Sequence, residues 1–170
     1  DLGPRQVQPL KYLGRDLVLF RGEDGQARVL DAHCPHLGAH MGMGGQVKGN
    51  QIACPFHDWA FNGDGECTDI PYCKKIPRKA RVNAWHVSEK NGLIFIHHHA
   101  DGKAPTFDIP DVPAASSKKW GGFVKFDWTI RVHIQEVAEN ALDHRDEPSR
   151  LEQSYRVAQL STISWQIRSV

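Results

Sequence analysis

Two short runs, Cys34-Pro35-His36 and Cys54-Pro55-Phe56-His57, stand in the pattern C-x-H-x17-C-x2-H. Two thiolates and two imidazoles offered in this way form the ligand set of a [2Fe–2S] cluster in which two histidines replace cysteine on one of the irons. A neutral imidazole removes negative charge from such a centre. Its potential then lies at roughly −150 to +300 mV, against about −400 mV for plant-type all-cysteine centres. The same four donors could hold zinc tetrahedrally. Zinc fingers, however, usually present paired cysteines and paired histidines rather than two mixed pairs. Gly38, Gly42, Gly44 and Gly45 follow the first run. Glycines there let the backbone approach a buried inorganic core and aim its N–H groups at the sulfides. His33 and His40 flank this run without matching partners in the second, and read as supporting or surface residues.

Period-2 patterning predicts strands at Leu17–Phe20, Ala27–Leu30, Val82–Trp85 and Leu93–Ile96, with Gln51–Ala53 just before the second run. Turn signals separate them at Gly22–Gly25, Asn62–Gly65 and Asn91–Gly92. Short strands with close turns predict a mostly β protein, an antiparallel sandwich carrying the two runs at the tips of hairpin loops.

The stretches CPHLGAH (34–40), CPFHDWAFNGDGEC (54–67), IPYCKKIPRKARVNAWHV (70–87) and GLIFIHHHADG (92–102) extend the likeness beyond the four donors. From about Leu10 to His99 the chain resembles the Rieske domain of ring-hydroxylating and steroid oxygenases. It is most similar to the group of 3-ketosteroid 9α-hydroxylase oxygenase components and Neverland-type cholesterol 7-desaturases. The resemblance implies a [2Fe–2S] cluster held by Cys34, His36, Cys54 and His57, and a proline loop at Pro71-Tyr72 covering it. Trp59, Phe56 and Trp85 are candidates for limiting water access, with Trp85 the more natural core residue. Respiratory-chain members carry an additional disulfide between the two loops and a serine after the last ligand histidine. This chain has Ala39, Phe56 and Asp58 at those places. Loss of the disulfide and hydroxyl, with a carboxylate nearby, favours the oxidised cluster and the low-potential side of the family.

With 170 residues and a formal net charge of +1, the chain suits one domain and part of a second, and lacks the charge footprint of a nucleic-acid binder. Lys74, Lys75, Arg78, Lys79 and Arg81 read either as solvated surface or as a docking patch for an acidic ferredoxin or an NAD(P)H-dependent reductase. There is no run of about 18 apolar residues and no signal peptide. The expected location is cytoplasmic as the chain stands, or membrane-anchored if an N-terminal helix precedes it. Cys67 and Cys73 are expected as free thiols packed beside the cluster loops rather than as a disulfide.

The expected division is a Rieske domain over 1–103, a proline-rich linker over 104–117, the start of an α+β, helix-grip-like catalytic domain over 118–143, and a non-matching tail over 144–170. Phe123–His133 reads as a strand and Ile134–Leu142 as an amphipathic helix. Full-length relatives add a mononuclear Fe(II) held by two histidines and a carboxylate, and their expected assembly is a homotrimer acting on a sterol or steroid. The resemblance makes Asp143 the bridge by which an electron reaches that iron. It also calls for histidines at 146 and 151, where the chain has Asp146 and Leu151. The sequence thus implies an electron-transferring oxygenase chain without its complete mononuclear site. The alternative is a stand-alone ferredoxin-like carrier.

Overall fold

The computed structural model describes residues 2–117 together with the strands Val124–Trp128 and Ile163–Ile167, and up to His97 the apolar alternation becomes two antiparallel sheets. The first contains β1 (Val7–Tyr12), β2 (Arg15–Arg21), β3 (Ala27–Asp31), β8 (Ala84–Lys90) and β9 (Leu93–His97), in the order β1-β2-β3-β8-β9. The second contains β4 (Gln46–Lys48), β5 (Gln51–Ala53), β6 (Ala60–Phe61) and β7 (Cys67–Asp69), in chain order. The sheets share one core. Val18, Phe20 and Leu30 from the first meet Val47, Ile52 and Phe61 from the second, with Met41 between them. Fully burying a side chain of this size stabilises by about 1.5–3 kcal/mol.

The three turn signals appear where the residues require them. Asn91 and Gly92 both take positive φ, 55° and 74°, the geometry a two-residue hairpin turn demands. The β8–β9 ladder follows from that turn, with Lys90 opposite Leu93 and His86 opposite His97. At Asn62–Gly65 the Asn62 side-chain oxygen accepts from the N–H groups of Asp64 and Glu66, an Asx turn. The expected strand Val82–Trp85 is displaced to Ala84–Lys90. Val82 instead bonds back to the turn, its N–H donating to the Gly65 carbonyl at 2.8 Å.

Residues 15–111 with 1–11 make one compact unit, and 12–14 with 112–170 make a second. In the second unit, the described residues include a short 3-10 turn at Pro113–Ser116 and an antiparallel pair, β10 (Val124–Trp128) with β11 (Ile163–Ile167). The expected strand from Phe123 is therefore present over Val124–Trp128. The expected helix Ile134–Leu142 and Asp143 lie outside the described residues.

Candidate metal centre

The two ligand runs fold as backbone copies of one another. In the first, the Cys34 N–H donates to the Ala39 carbonyl (2.9 Å) and the Gly38 N–H donates to the Cys34 carbonyl (2.9 Å). In the second, the Cys54 N–H donates to the Trp59 carbonyl (2.9 Å) and the Asp58 N–H donates to the Cys54 carbonyl (3.0 Å). The fourth residue after each cysteine is left-handed, Gly38 at φ 74° and Asp58 at φ 60°. Each loop is closed at its base by an antiparallel pair, His33 with His40 and Ala53 with Ala60. Only the second loop is a hairpin tip, joining β5 to β6. The first crosses from β3 in one sheet to β4 in the other, which differs from the expectation of two hairpins.

Matched loops place the donors with their polarity fixed. Cys34 and Cys54 are 2% and 4% exposed and belong to the shared core, whereas His36 is half-buried and His57 exposed. The thiols face inward and the imidazoles lie toward the surface. The His36 and His57 rings stand edge to face, with centroids 4.8 Å apart. Burial, and secondarily the neighbouring Cys54, pushes the Cys34 thiol up to about 11, while the His36 backbone N–H points at its sulfur and works the other way. A thiol so deeply buried would lose its proton readily only when a metal cation takes the proton's place on the sulfur.

The donor chemistry fits a two-iron centre: two adjacent sulfurs with an N–H aimed at one of them, and two adjacent imidazoles. Among the described residues, no three His, Cys, Asp or Glu side chains converge on a single ion. Two mixed Cys/His runs, rather than paired cysteines and paired histidines, are the donor pattern that suits a bridged pair of irons.

The neighbours differ from expectation in instructive ways. Trp59 lies parallel to His36, with ring centroids 4.6 Å apart and planes within 5°, and shields one face of it. Phe56 is 67% exposed and shields little. Trp85 is on β8, donates its Nε1–H to Asp31 at 2.9 Å, and takes part in the sheet rather than the site. Tyr72 on the third loop accepts a hydrogen bond from Trp59 Nε1 at 2.6 Å, so that loop does reach the site. The Asp58 carboxylate pairs with Lys48, which offsets the negative charge the sequence places beside the cluster. His33 and His40 hold the base of the first loop, their rings edge to face at 5.2 Å and His40 Nδ1 accepting from the Gly42 N–H. Cys67 is buried in the core, but Cys73 is exposed rather than packed; both are free thiols. The sequence signal for the Tyr72 contact was weak, because a hydrogen bond across 13 positions leaves no periodicity.

Comparison with known proteins agrees with this geometry. The Rieske [2Fe-2S] domain family matches residues 1–85, and the 3-ketosteroid 9alpha-hydroxylase C-terminal domain family matches residues 96–146. Cholesterol 7-desaturase nvd 1 of Ciona intestinalis is 42% identical over 143 residues, covering 84% of this chain and 30% of that protein. A probable 3-ketosteroid-9-alpha-monooxygenase oxygenase component of Rhodococcus rhodochrous is 42% identical over 149 residues, covering 84% of this chain and 36% of that protein. Among solved structures, NdmA of Pseudomonas putida CBB5 with caffeine aligns with a TM-score of 0.66 at 28% identity, covering 81% of this chain and 40% of that one. Apo dicamba monooxygenase shares the fold with a TM-score of 0.70 at 24% identity, covering 92% and 46%. The chain spans about a third of the length of the curated relatives it matches.

Proposed function

Because the chain belongs to the Rieske [2Fe-2S] domain family, we propose that it binds its cluster through Cys34, His36, Cys54 and His57 and serves as the electron-transferring part of a sterol- or steroid-directed oxygenase. The observation that carries this reading is the pair of loops with matching backbone hydrogen bonds, which set two buried thiols inward and two imidazoles outward. When bound, the cluster supplies a one-electron couple. The chain's own residues do the rest. Cys34 and Cys54 supply negative charge in the core, His36 and His57 give the shortest route to the surface, and Trp59 keeps water from one ring face. The exposed lysines and arginines of the third loop, Lys74, Lys75, Arg78 and Lys79, present positive charge on that loop and suit an acidic ferredoxin or a reductase domain as donor.

The sterol or steroid direction comes from the two named relatives and from the second family match. Homotrimeric assembly of the full-length protein and the role of Asp143 as an electron bridge belong to the same reading; the mononuclear Fe(II) belongs to the full-length family, and its histidine ligands are not found in this chain. Among those residues no helix is long and apolar enough to cross a membrane; a cytoplasmic or membrane-surface setting both fit the reading. A second reading, a stand-alone carrier, has one observation in its favour. The unit ending at Asp111 already contains both sheets, the core and all four donors.

The test is low-temperature EPR of the anaerobically reduced full chain, with iron and acid-labile sulfide counted. A rhombic signal with two irons and two sulfides per chain is expected. Zinc without sulfide would overturn the electron-transfer reading, and a third iron would place a complete mononuclear site in this chain.

A further inference from the structure

His36 is gripped on two sides. The Trp59 indole covers one face in parallel at 4.6 Å, and the His57 ring meets it at 71° and 4.8 Å. The indole is itself tethered from outside the ligand loops, through its Nε1–H to the Tyr72 hydroxyl at 2.6 Å. Tyr72 belongs to the third loop. That loop's turn is fixed by the Cys73 N–H donating to the Ile70 carbonyl (2.9 Å) and by the Cys73 thiol facing the Lys75 carbonyl (3.2 Å). Tyr72 is 62% exposed, so its ring gains little from burial, and its hydroxyl is the polar group that meets the indole.

We propose that Trp59 and Tyr72 form a positioning pair that fixes the ring plane of His36 and so sets the potential of the cluster it ligates. The inference rests on the ligand assignment proposed above. Its physical basis is twofold. The tilt of an imidazole ligand's ring plane is left to its neighbours, and a stacked indole restricts it; groups that orient metal ligands tune the metal they hold. The indole also presents an electron-rich face and excludes water from that side. Two ferric ions, two sulfides and two thiolates sum to no net charge, and one-electron reduction leaves a single negative charge. Replacing the indole with water or a smaller apolar group therefore favours the reduced form. Removing the tether loosens the indole and acts in the same direction, less strongly.

Three variants of the full chain test this: Tyr72→Phe, which deletes only the hydroxyl, Trp59→Phe, which keeps an aromatic face without the N–H, and Trp59→Leu, which removes the face. Iron and sulfide content, the midpoint potential, and the nitrogen hyperfine couplings of the two histidine ligands are compared with the unaltered protein. Tyr72→Phe should retain two irons and two sulfides, raise the potential beyond replicate error, and alter the couplings of one histidine while leaving the other in place. Trp59→Phe should match it, and Trp59→Leu should exceed both. If Tyr72→Phe holds a full cluster with unchanged potential and unchanged couplings, the pair merely pins the third loop and the inference is overturned, whatever happens to the Trp59 variants. Failure of the unaltered chain to bind iron and sulfide would instead overturn the ligand assignment.

Discussion

Gly38 and Asp58 hold the same backbone position in their two loops, and the difference between them isolates what that position demands. Both are left-handed, at φ 74° and 60°. A Cβ there costs about 1–2 kcal/mol for an ordinary residue, and less for aspartate, whose short side chain tolerates the region. Nothing lies within 4 Å of a Cβ added to Gly38, so its substitution meets backbone strain and no clash. Gly38→Ala should therefore lower the stability of the iron-loaded chain by about 1 kcal/mol, read as a shift in its urea midpoint. Asp58→Gly removes a strained torsion but also removes the pair with Lys48. A half-exposed ion pair contributes about 0–1 kcal/mol, so the two effects nearly cancel and stability should stay within about 0.5 kcal/mol. Equal damage from both changes would show that the side chains, not the shared left-handed backbone, govern these loops. The motif singled out both cysteines and both histidines, which the structure brings together in pairs, because metal ligation would dictate those residue types. It did not disclose the left-handed aspartate, since aspartate is common in many conformations.

At the scale of the element, one carboxylate adds side-chain hydrogen bonds to the β3–β8 ladder that joins the β8–β9 hairpin to its sheet. Glu89 on β8 accepts from Arg21 Nη1 and Nη2 on β2, at 2.8 and 2.6 Å, and from the Ala27 N–H of β3 at 3.2 Å. The Arg21 hydrogen bond holds the Glu89 carboxyl below its usual value of 4.5, against the opposing effect of burial. A carboxylate with a depressed folded-state pKa stabilises fully above its unfolded value, and that contribution is lost as the pH falls through the folded value. Glu89→Gln should then cost about 1 kcal/mol at neutral pH, a figure tempered by the partial exposure of the pair. The gap between the two proteins should close as the pH drops below 4.5. Paired denaturation curves at several pH values check this, because every other ionisable group is common to both proteins and cancels in the difference. A gap independent of pH would mean that packing, and not charge, is what Glu89 provides. The hairpin was legible in the sequence through Asn91-Gly92, but its first strand runs over Ala84–Lys90 rather than Val82–Trp85. Val82 looks like strand and is buried, yet it is spent on the Gly65 contact. Other strands were illegible for physical reasons: β6 is two residues long, and β1 contains Pro9, which sheets tolerate at an edge. The crossing of the first ligand loop between sheets is set by long-range pairing, which local patterning does not encode.

On the scale of the whole molecule, carrying an electron and activating oxygen are separable tasks, and the residues divide between them unevenly. The four donors and the core that holds them lie within one compact unit ending at Asp111. Likeness to the steroid-hydroxylase C-terminal family continues over 96–146. The chain keeps Asp143, the expected bridge, but has Asp146 at the end of that stretch and Leu151 just beyond it where the resemblance calls for iron-ligating histidines. Leucine offers no donor at all, and one aspartate cannot supply the two imidazoles that a 2-His-1-carboxylate site requires. An electron reaching the surface through His36 or His57 would then have no second metal in the same chain to meet. With a reductant supplied, the purified full chain should show a reducible cluster, and oxygen uptake that does not rise when cholesterol or a 3-ketosteroid is added. A relative's complete oxygenase, assayed separately with the same reductant, should show the substrate-dependent uptake that this chain lacks. Uptake by the chain alone that follows substrate, with an oxidised steroid formed in proportion, would mean that other residues of this chain complete the iron site. Asp146 and Leu151 would then mark a departure in sequence and not in chemistry.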